Sequence, residues 1–244
     1  GSGALVWEDD LTGSSFAAPT TWQGGFGGGQ TPLMGDFNGD QRLDAGAVSS
    51  GTWLVALSTG SSFGAPTSWL AGFGSGATPL TGDFNGDGLT DVAAAAGGTI
   101  SVALSDGNRL VSQPTAWTTG FGAGQSVTSA DLNGDGLTDV LYYDKATGAV
   151  VAAFSTSGGF GAAQSLMSDH PFGLRGPEDV LQVGDFRGNG LSGFGVFNAL
   201  SGAAEIAFAL GIPPDLLETT ANGLGGSTTL TYQPSSQFTN TNLH

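Results

Sequence analysis

Residues 14–58 and 61–105 are copies of one another at a constant shift of 47: Phe16 recurs as Phe63, Pro19 as Pro66, Trp22 as Trp69, Phe26 as Phe73, Pro32 as Pro79 and Asp36 as Asp83. A third copy follows at a shift of 48 (Trp69 to Trp117, Phe73 to Phe121, Asp83 to Asp131) and a fourth at 54 (Asp131 to Asp185), with extra residues around Asp169 to Glu178. A fixed period of this length marks supersecondary units that cannot bury their apolar faces alone and must stack on their neighbours. Within one unit, short apolar or alternating runs are divided by Gly, Asn and Asp: Asp91–Ala96, then Gly97-Gly98, then Thr99–Ser105, then Asp106-Gly107-Asn108. These are hairpin signals. The runs before the Asp-rich loop, after it, across the Gly turn and around the Trp make four strands per unit. A four-stranded unit of roughly 40 to 50 residues is the blade of a β-propeller. The fold class expected is therefore all-β, a propeller over residues 4–210, with 211–244 as a C-terminal extension.

Composition removes the competing classes. With 44 Gly and 10 Pro in 244 residues, no helical bundle is expected, and with no Cys there is no disulfide scaffold. The net charge of −16 repels nucleic acid and anionic membrane surfaces. The apolar run Val92–Ala96 stops at Gly97-Gly98, far short of the roughly 18 residues of a membrane span. The chain opens on Gly1-Ser2-Gly3 with no basic and apolar leader, so an export signal is expected outside this sequence. Four loop-bearing units and a leading hairpin, Ala4–Trp22, are fewer than a seven-bladed ring needs. The chain is read as a segment of a larger propeller, in preference to a closed ring of four or five blades or a piece completed by oligomerisation.

Three units carry D-F-N-G-D-Q-R-L-D (Asp36–Asp44), D-F-N-G-D-G-L-T-D (Asp83–Asp91) and D-L-N-G-D-G-L-T-D (Asp131–Asp139). Oxygen side chains stand at loop positions 1, 3, 5 and 9: Asp36, Asn38, Asp40 and Asp44; Asp83, Asn85, Asp87 and Asp91; Asp131, Asn133, Asp135 and Asp139. The backbone carbonyl at position 7, from Arg42, Leu89 or Leu137, can turn in as a further ligand. An all-oxygen set of this spacing suits Ca2+, at about three sites, better than Mg2+ or Zn2+. The EF-hand Glu at position 12 is missing and the expected flanks are strands, so a helix-loop-helix switch is not expected. Gln41 replaces Gly at position 6 of the first loop and is expected to adopt a conformation natural to Gly, weakening that site by about 1 kcal/mol. The fourth loop, D-F-R-G-N-G-L-S-G from Asp185, is expected to be metal-free, with Arg187 either paired to Asp185 or in solvent.

The phrase G-D-F-N-G-D-G-L-T-D-V (Gly82–Val92), its copies and the F-G-A-P element at Phe63–Pro66 resemble the FG-GAP/VCBS repeats of bacterial surface proteins, integrin α-subunits and certain fungal propeller lectins. The resemblance implies a calcium-loaded propeller. After Ile212-Pro213-Pro214, the segment N-G-L-G-G-S-T-T-L-T-Y-Q-P-S-S (Asn222–Ser236) resembles the stretch following such repeats in Rhs-type and insecticidal Tc-type toxin shell proteins, which implies a fragment of a large secreted protein. Its alternating Thr228, Leu230 and Tyr232 also read as a strand.

Three functions follow. The first is a non-catalytic calcium-binding scaffold of a secreted or cell-surface, toxin-related protein, docking a protein partner or neighbouring domains of its own chain. The second is a carbohydrate-binding propeller presenting one indole per blade, from Trp22, Trp69 and Trp117, to the apolar face of a sugar, although core wedges are the commoner use of such residues. The third, an enzyme, finds little support. His170 and His244 are the available imidazoles, and most acids that could pair lie in the loops.

Overall fold

The structure, a computed structural model, describes residues 19–168, 179–187, 191–208, 219–221 and 227–230. The first blade is an antiparallel sheet of β1 (Thr31–Gly35), β2 (Asp44–Ser49), β3 (Thr52–Ala56) and β4 (Thr67–Leu70), in that order. The second contains β5 (Thr78–Gly82), β6 (Asp91–Ala96), β7 (Thr99–Ser105) and β8 (Leu110–Ser112), with the short β9 (Thr118–Thr119) also on β7. β10 (Ser126–Ala130), β11 (Asp139–Asp144), β12 (Ala149–Ala153) and β13 (Gln164–Met167) make the third. The fourth has β14 (Asp179–Gly184), β15 (Gly193–Asn198) and β16 (Ala204–Ala207), and a hairpin of β17 (Thr219–Ala221) and β18 (Ser227–Thr229) follows. No helix occurs among the described residues.

The expected units are thus present as antiparallel blades arranged as a β-propeller, four-stranded in blades 1 and 3, with β9 added to blade 2 and three strands described in blade 4, and the turn residues explain their registers. Ala96 pairs with Thr99 across Gly97-Gly98, whose φ values of 57° and 82° give the two-residue turn whose twist suits a hairpin. The Asp-rich loop joins the first and second strands of each blade, closing at Gly35↔Asp44, Gly82↔Asp91 and Ala130↔Asp139.

The core lies between blades. Phe37, Val55 and Trp69 of blade 1 pack against Val92, Ala94 and Ala103 of blade 2. Phe84, Ala93 and Val102 meet Val127, Val140 and Ala153 of blade 3, and Leu132, Leu141 and Ala152 meet Phe194 and Val196 of blade 4. Strand alternation sends successive residues to opposite faces, so Val92 and Ala94 serve one interface while Ala93 and Ala95 serve the next. Blade 2 is therefore apolar on both faces. β1 meets β5, β5 meets β10 and β10 meets β14, while among the described residues no comparable contact returns from β14 to β1. Among the described residues the four blades follow one another without a closing contact.

Several expectations fall outside the described residues: the leading hairpin up to residue 18, the insertion 169–178 with His170, the 212–214 boundary and Tyr232. Thr228 lies in β18. No helix of the described residues is long and apolar enough to cross a membrane.

Candidate metal centre

Each Asp-rich loop is wound around its position-1 carboxylate. Asp83 Oδ1 accepts from the backbone N–H groups of Gly86 at 2.6 Å and Asp87 at 3.2 Å, and its Oδ2 accepts from Gly88 at 2.8 Å. Asn85 Oδ1 accepts from Asp87 N, and Asp87 Oδ1 accepts from Leu89 N. Asp36, Asn38 and Asp40 repeat this set in the first loop, and Asp131, Asn133 and Asp135 nearly all of it in the third. A chain folded back this tightly needs φ > 0 at position 6: Gly88 has 83°, Gly136 has 82°, and Gln41 is held at 66°, the conformation expected of it from the sequence. Arg42 adds a second departure in loop 1, because its guanidinium pairs with Asp40 at 3.0 Å.

Position 9 is different. Asp44, Asp91 and Asp139 are fully buried at the first residue of the second strand. Both oxygens of each are engaged by backbone N–H groups: Phe37 and Ser58 on Asp44, Phe84 and Ser105 on Asp91, Leu132 and Ser155 on Asp139, at 2.7 to 3.0 Å. The carboxylate pins the loop to the end of the third strand. Desolvation is the main cause that pushes Asp91 up to about 7 and Asp139 to about 6, with the carboxylates at positions 5 and 1 adding in the same direction and the backbone donors opposing. Asp44 is raised for the same reasons.

With position 9 turned inward, the described residues contain no group of three or more Asp, Glu, His or Cys side chains gathered around one point. Each loop offers at its rim two carboxylates and one amide oxygen, at positions 1, 5 and 3. The donor types at these positions, all oxygen, are the kind that Ca2+ takes. In the fourth loop, the Arg187 guanidinium carbon stands 3.9 Å over the Phe208 ring, a cation–π contact the sequence did not suggest, and Arg187 N donates to Asp185 Oδ1.

The loops are also chained to one another. Thr90 N, at position 8 of loop 2, donates to Asp36 O, and Thr138 N of loop 3 donates to Asp83 O. Thr90 packs so closely on Gly35 that an added Cβ would overlap its side chain, and Thr138 does the same to Gly82. Ser105 Oγ donates to Phe37 O and Ser155 Oγ to Phe84 O, each at 2.7 Å. Sequence reasoning missed this junction. Its signal was the recurring Gly-Leu-Thr at positions 6 to 8, too plain for an unaligned chain to set apart from turn chemistry.

Each of the three indoles meets an aromatic ring. Trp69 is buried with its ring edge-on to Phe37. Trp117 is half-buried between Phe84 and Phe160, and Trp22 is half-buried against Phe63. A cleft of about 250 Å3 lies between blades 2 and 3, lined by Thr78, Ala96, Phe121, Gly122 and Gln125 among others.

Residues 36–94 and 83–142 match the family model described as an FG-GAP-like repeat, so the chain carries repeats of that kind in blades 1 to 3. No curated protein matches it. Among solved structures it is similar to a lectin of Agrocybe aegerita, described by its specific recognition of non-reducing terminal N-acetylglucosamine. The TM-score is 0.57 at 20% identity, over 74% of this chain and 52% of that one. The chain thus spans about half the length of the lectin, and the likeness is one of fold.

Proposed function

We propose that this chain is a non-catalytic, calcium-binding propeller module of a secreted or cell-surface protein, which presents a rigid run of blades to a protein partner or to neighbouring domains. The observation that carries the reading is the threefold repetition of one loop, in which Asp, Asn and Asp oxygens at positions 1, 3 and 5 recur on one winding of the chain. Bound Ca2+ would be held by Asp36, Asn38 and Asp40, by Asp83, Asn85 and Asp87, and by Asp131, Asn133 and Asp135. It would supply positive charge to a protein of net charge −16. The link to Rhs- and Tc-type shells rests on the 222–236 phrase and belongs to the same proposal.

The test is thermal unfolding in excess chelator and then in millimolar calcium. Each site filled at about 100 times its Kd adds roughly 2.7 kcal/mol, and a domain of this size gains about 2–4 °C per kcal/mol. Asp87→Asn, which alters one exposed loop carboxylate, should lose about a third of the calcium-dependent shift, as one site of about three does. Equal midpoints with and without calcium would remove the metal from the reading.

A second reading, carbohydrate binding, is favoured by the fold shared with the lectin and by the cleft between blades 2 and 3. On a glycan array, the expected outcome is binding to terminal N-acetylglucosamine that is lost in Gln125→Ala and retained in Trp22→Phe, because Gln125 lines the cleft while Trp22 packs on Phe63. A blank array leaves the scaffold reading alone.

A further inference from the structure

A buried line of hydrogen bonds runs through all three Asp-rich loops without a break. It starts at Asp139, whose Oδ1 accepts from Ser155 N at 2.8 Å. Ser155 Oγ donates to Phe84 O in loop 2 at 2.7 Å, and Phe84 N donates to Asp91 Oδ2 at 3.0 Å. Asp91 Oδ1 accepts from Ser105 N at 2.7 Å, and Ser105 Oγ donates to Phe37 O in loop 1, again at 2.7 Å. Phe37 N closes the line on Asp44 Oδ2 at 3.0 Å. Every residue on it is buried, so water cannot stand in for a lost member.

A second tie follows the rim of the loops. Thr90 N donates to Asp36 O at 2.7 Å, and Thr138 N to Asp83 O at 2.6 Å. Beside each threonine stands a leucine that belongs to two loops at once. Leu89, at position 7, donates its N–H to Asp87 Oδ1 in loop 2, while its Cδ2 lies 2.7 Å from where a Cβ on Gly39 of loop 1 would stand. Leu137 repeats both contacts, donating to Asp135 Oδ1 and covering Gly86 at 2.8 Å. The covered glycine is the one whose N–H holds the position-1 carboxylate, Gly39 on Asp36 and Gly86 on Asp83. At both junctions the later loop supplies the donors and the cover, and the earlier loop supplies the carbonyls and the glycine floor. Loop 1 therefore cannot unwind without losing what loop 2 gives it, and loop 2 depends on loop 3 in the same way.

We propose that the three loops are one cooperative unit, which opens as a whole and in which a cation taken at one loop raises the affinity of the next. The first half stands on the hydrogen-bonded line alone; the second rests on the calcium reading above. Proteins open in contiguous units of this kind, and a member held by its neighbours on both sides opens only with them. The carboxylates at positions 1 and 5 repel one another in a wound loop, and winding is favoured once that repulsion is neutralised. A wound loop 2 holds Leu89 and Thr90 where loop 1 needs them, so the ordering that loop 1 requires is already in place. By linkage the effect is reciprocal.

Leu137→Ala and Ser155→Ala test this, because each is tied to loop 2 but belongs to blade 3, two blades on from loop 1. Each is first shown by its melting curve to be folded. Hydrogen–deuterium exchange of the whole chain without metal is read on the segments 35–44, 82–91 and 130–139. Both variants are expected to exchange at least about fivefold faster in all three, the low end of ordinary coupling between sites. Arg109→Ala, which removes an exposed ion pair with Asp106 off this line, should leave loop 1 unchanged. Repeating the exchange across calcium concentrations gives a midpoint for each loop. Leu137→Ala, which keeps every loop carboxylate, should raise the midpoint of loop 1 at least about fivefold along with those of loops 2 and 3. Faster exchange confined to loops 2 and 3, or a loop 1 midpoint that does not move, overturns the proposal. Calcium that protects none of the three segments removes the calcium reading and the affinity half with it, and the exchange rates without metal then decide the coupling.

Discussion

Replacing Asp91 by Ala is expected to lower the stability of the chain by roughly 3–5 kcal/mol, the largest effect of any single loop substitution. The two N–H groups that Asp91 satisfies, from Phe84 and Ser105, lie in the buried end of the sheet where water cannot replace the carboxylate. Each buried donor left unpaired costs about 1–3 kcal/mol, and a small cavity adds to the sum. Asp91→Asn should recover part of the loss, because its one amide oxygen can accept from one donor while its NH2 opposes the other. Thermal unfolding reads this as a fall of about 6–20 °C for Ala at 2–4 °C per kcal/mol, and about half that for Asn. A loss under about 1 kcal/mol, the worth of one ordinary hydrogen bond, would show that the pin is dispensable.

Blade 4 illustrates the same point from the other direction. Its loop has Gly193 where the others have the buried Asp, and there an added Cβ would stand 2.7 Å from Ala207 O. Its position-2 aromatic, Phe186, is exposed, and its first two strands are tied at their far end by Asn198 Nδ2 donating to Asp179 Oδ1 at 2.7 Å.

Gly82→Ala is expected to destabilise by about 2–3 kcal/mol, although the change adds a single methyl group to a strand. The new Cβ would fall within the Thr138 side chain of the next blade, whose backbone N–H is fixed on Asp83 O. Thr138 cannot retreat without giving up that bond. Thr138→Ala alone should cost about 1 kcal/mol or less, and the double substitution should be more stable than Gly82→Ala alone, a coupling of about 1 kcal/mol or more between residues in different blades. Simple addition of the two losses would place the strain within one blade. The sequence of the third junction matches this logic, since Ala130 stands in the place of Gly82 and Ser192 in that of Thr138: a methyl gained on one side is a methyl lost on the other.

Much of this protein was legible because its information is local and repeated. A pair of glycines between two apolar runs can turn only in a few ways, and so the runs Asp91–Ala96 and Thr99–Ser105 by themselves set the bounds of β6 and β7. The strain at Gln41 was legible for the same reason, since position 6 of a tight loop requires φ > 0 whatever surrounds it. The spacing of oxygen ligands in the loops could be counted from the chain, but not the direction of each. Positions 1, 3 and 5 sit on the winding itself, whereas position 9 has already entered the strand, where the pleat and the third strand behind it turn the side chain inward. The fate of the indoles also depended on partners distant in sequence. Trp69 is buried because Phe37 lies against it and blade 2 closes over both.

The amino-acid order alone determined the blade, its strands and the winding of its loops, because each is set by backbone preferences acting over a few residues and then copied. Only the tertiary structure decided which carboxylates became buried pins, which aromatic rings became wedges and how one blade is keyed to the next. Those outcomes turn on burial and on gaps of a single methyl group between surfaces about 50 residues apart, where the free energy depends on what stands opposite rather than on what stands next in the chain.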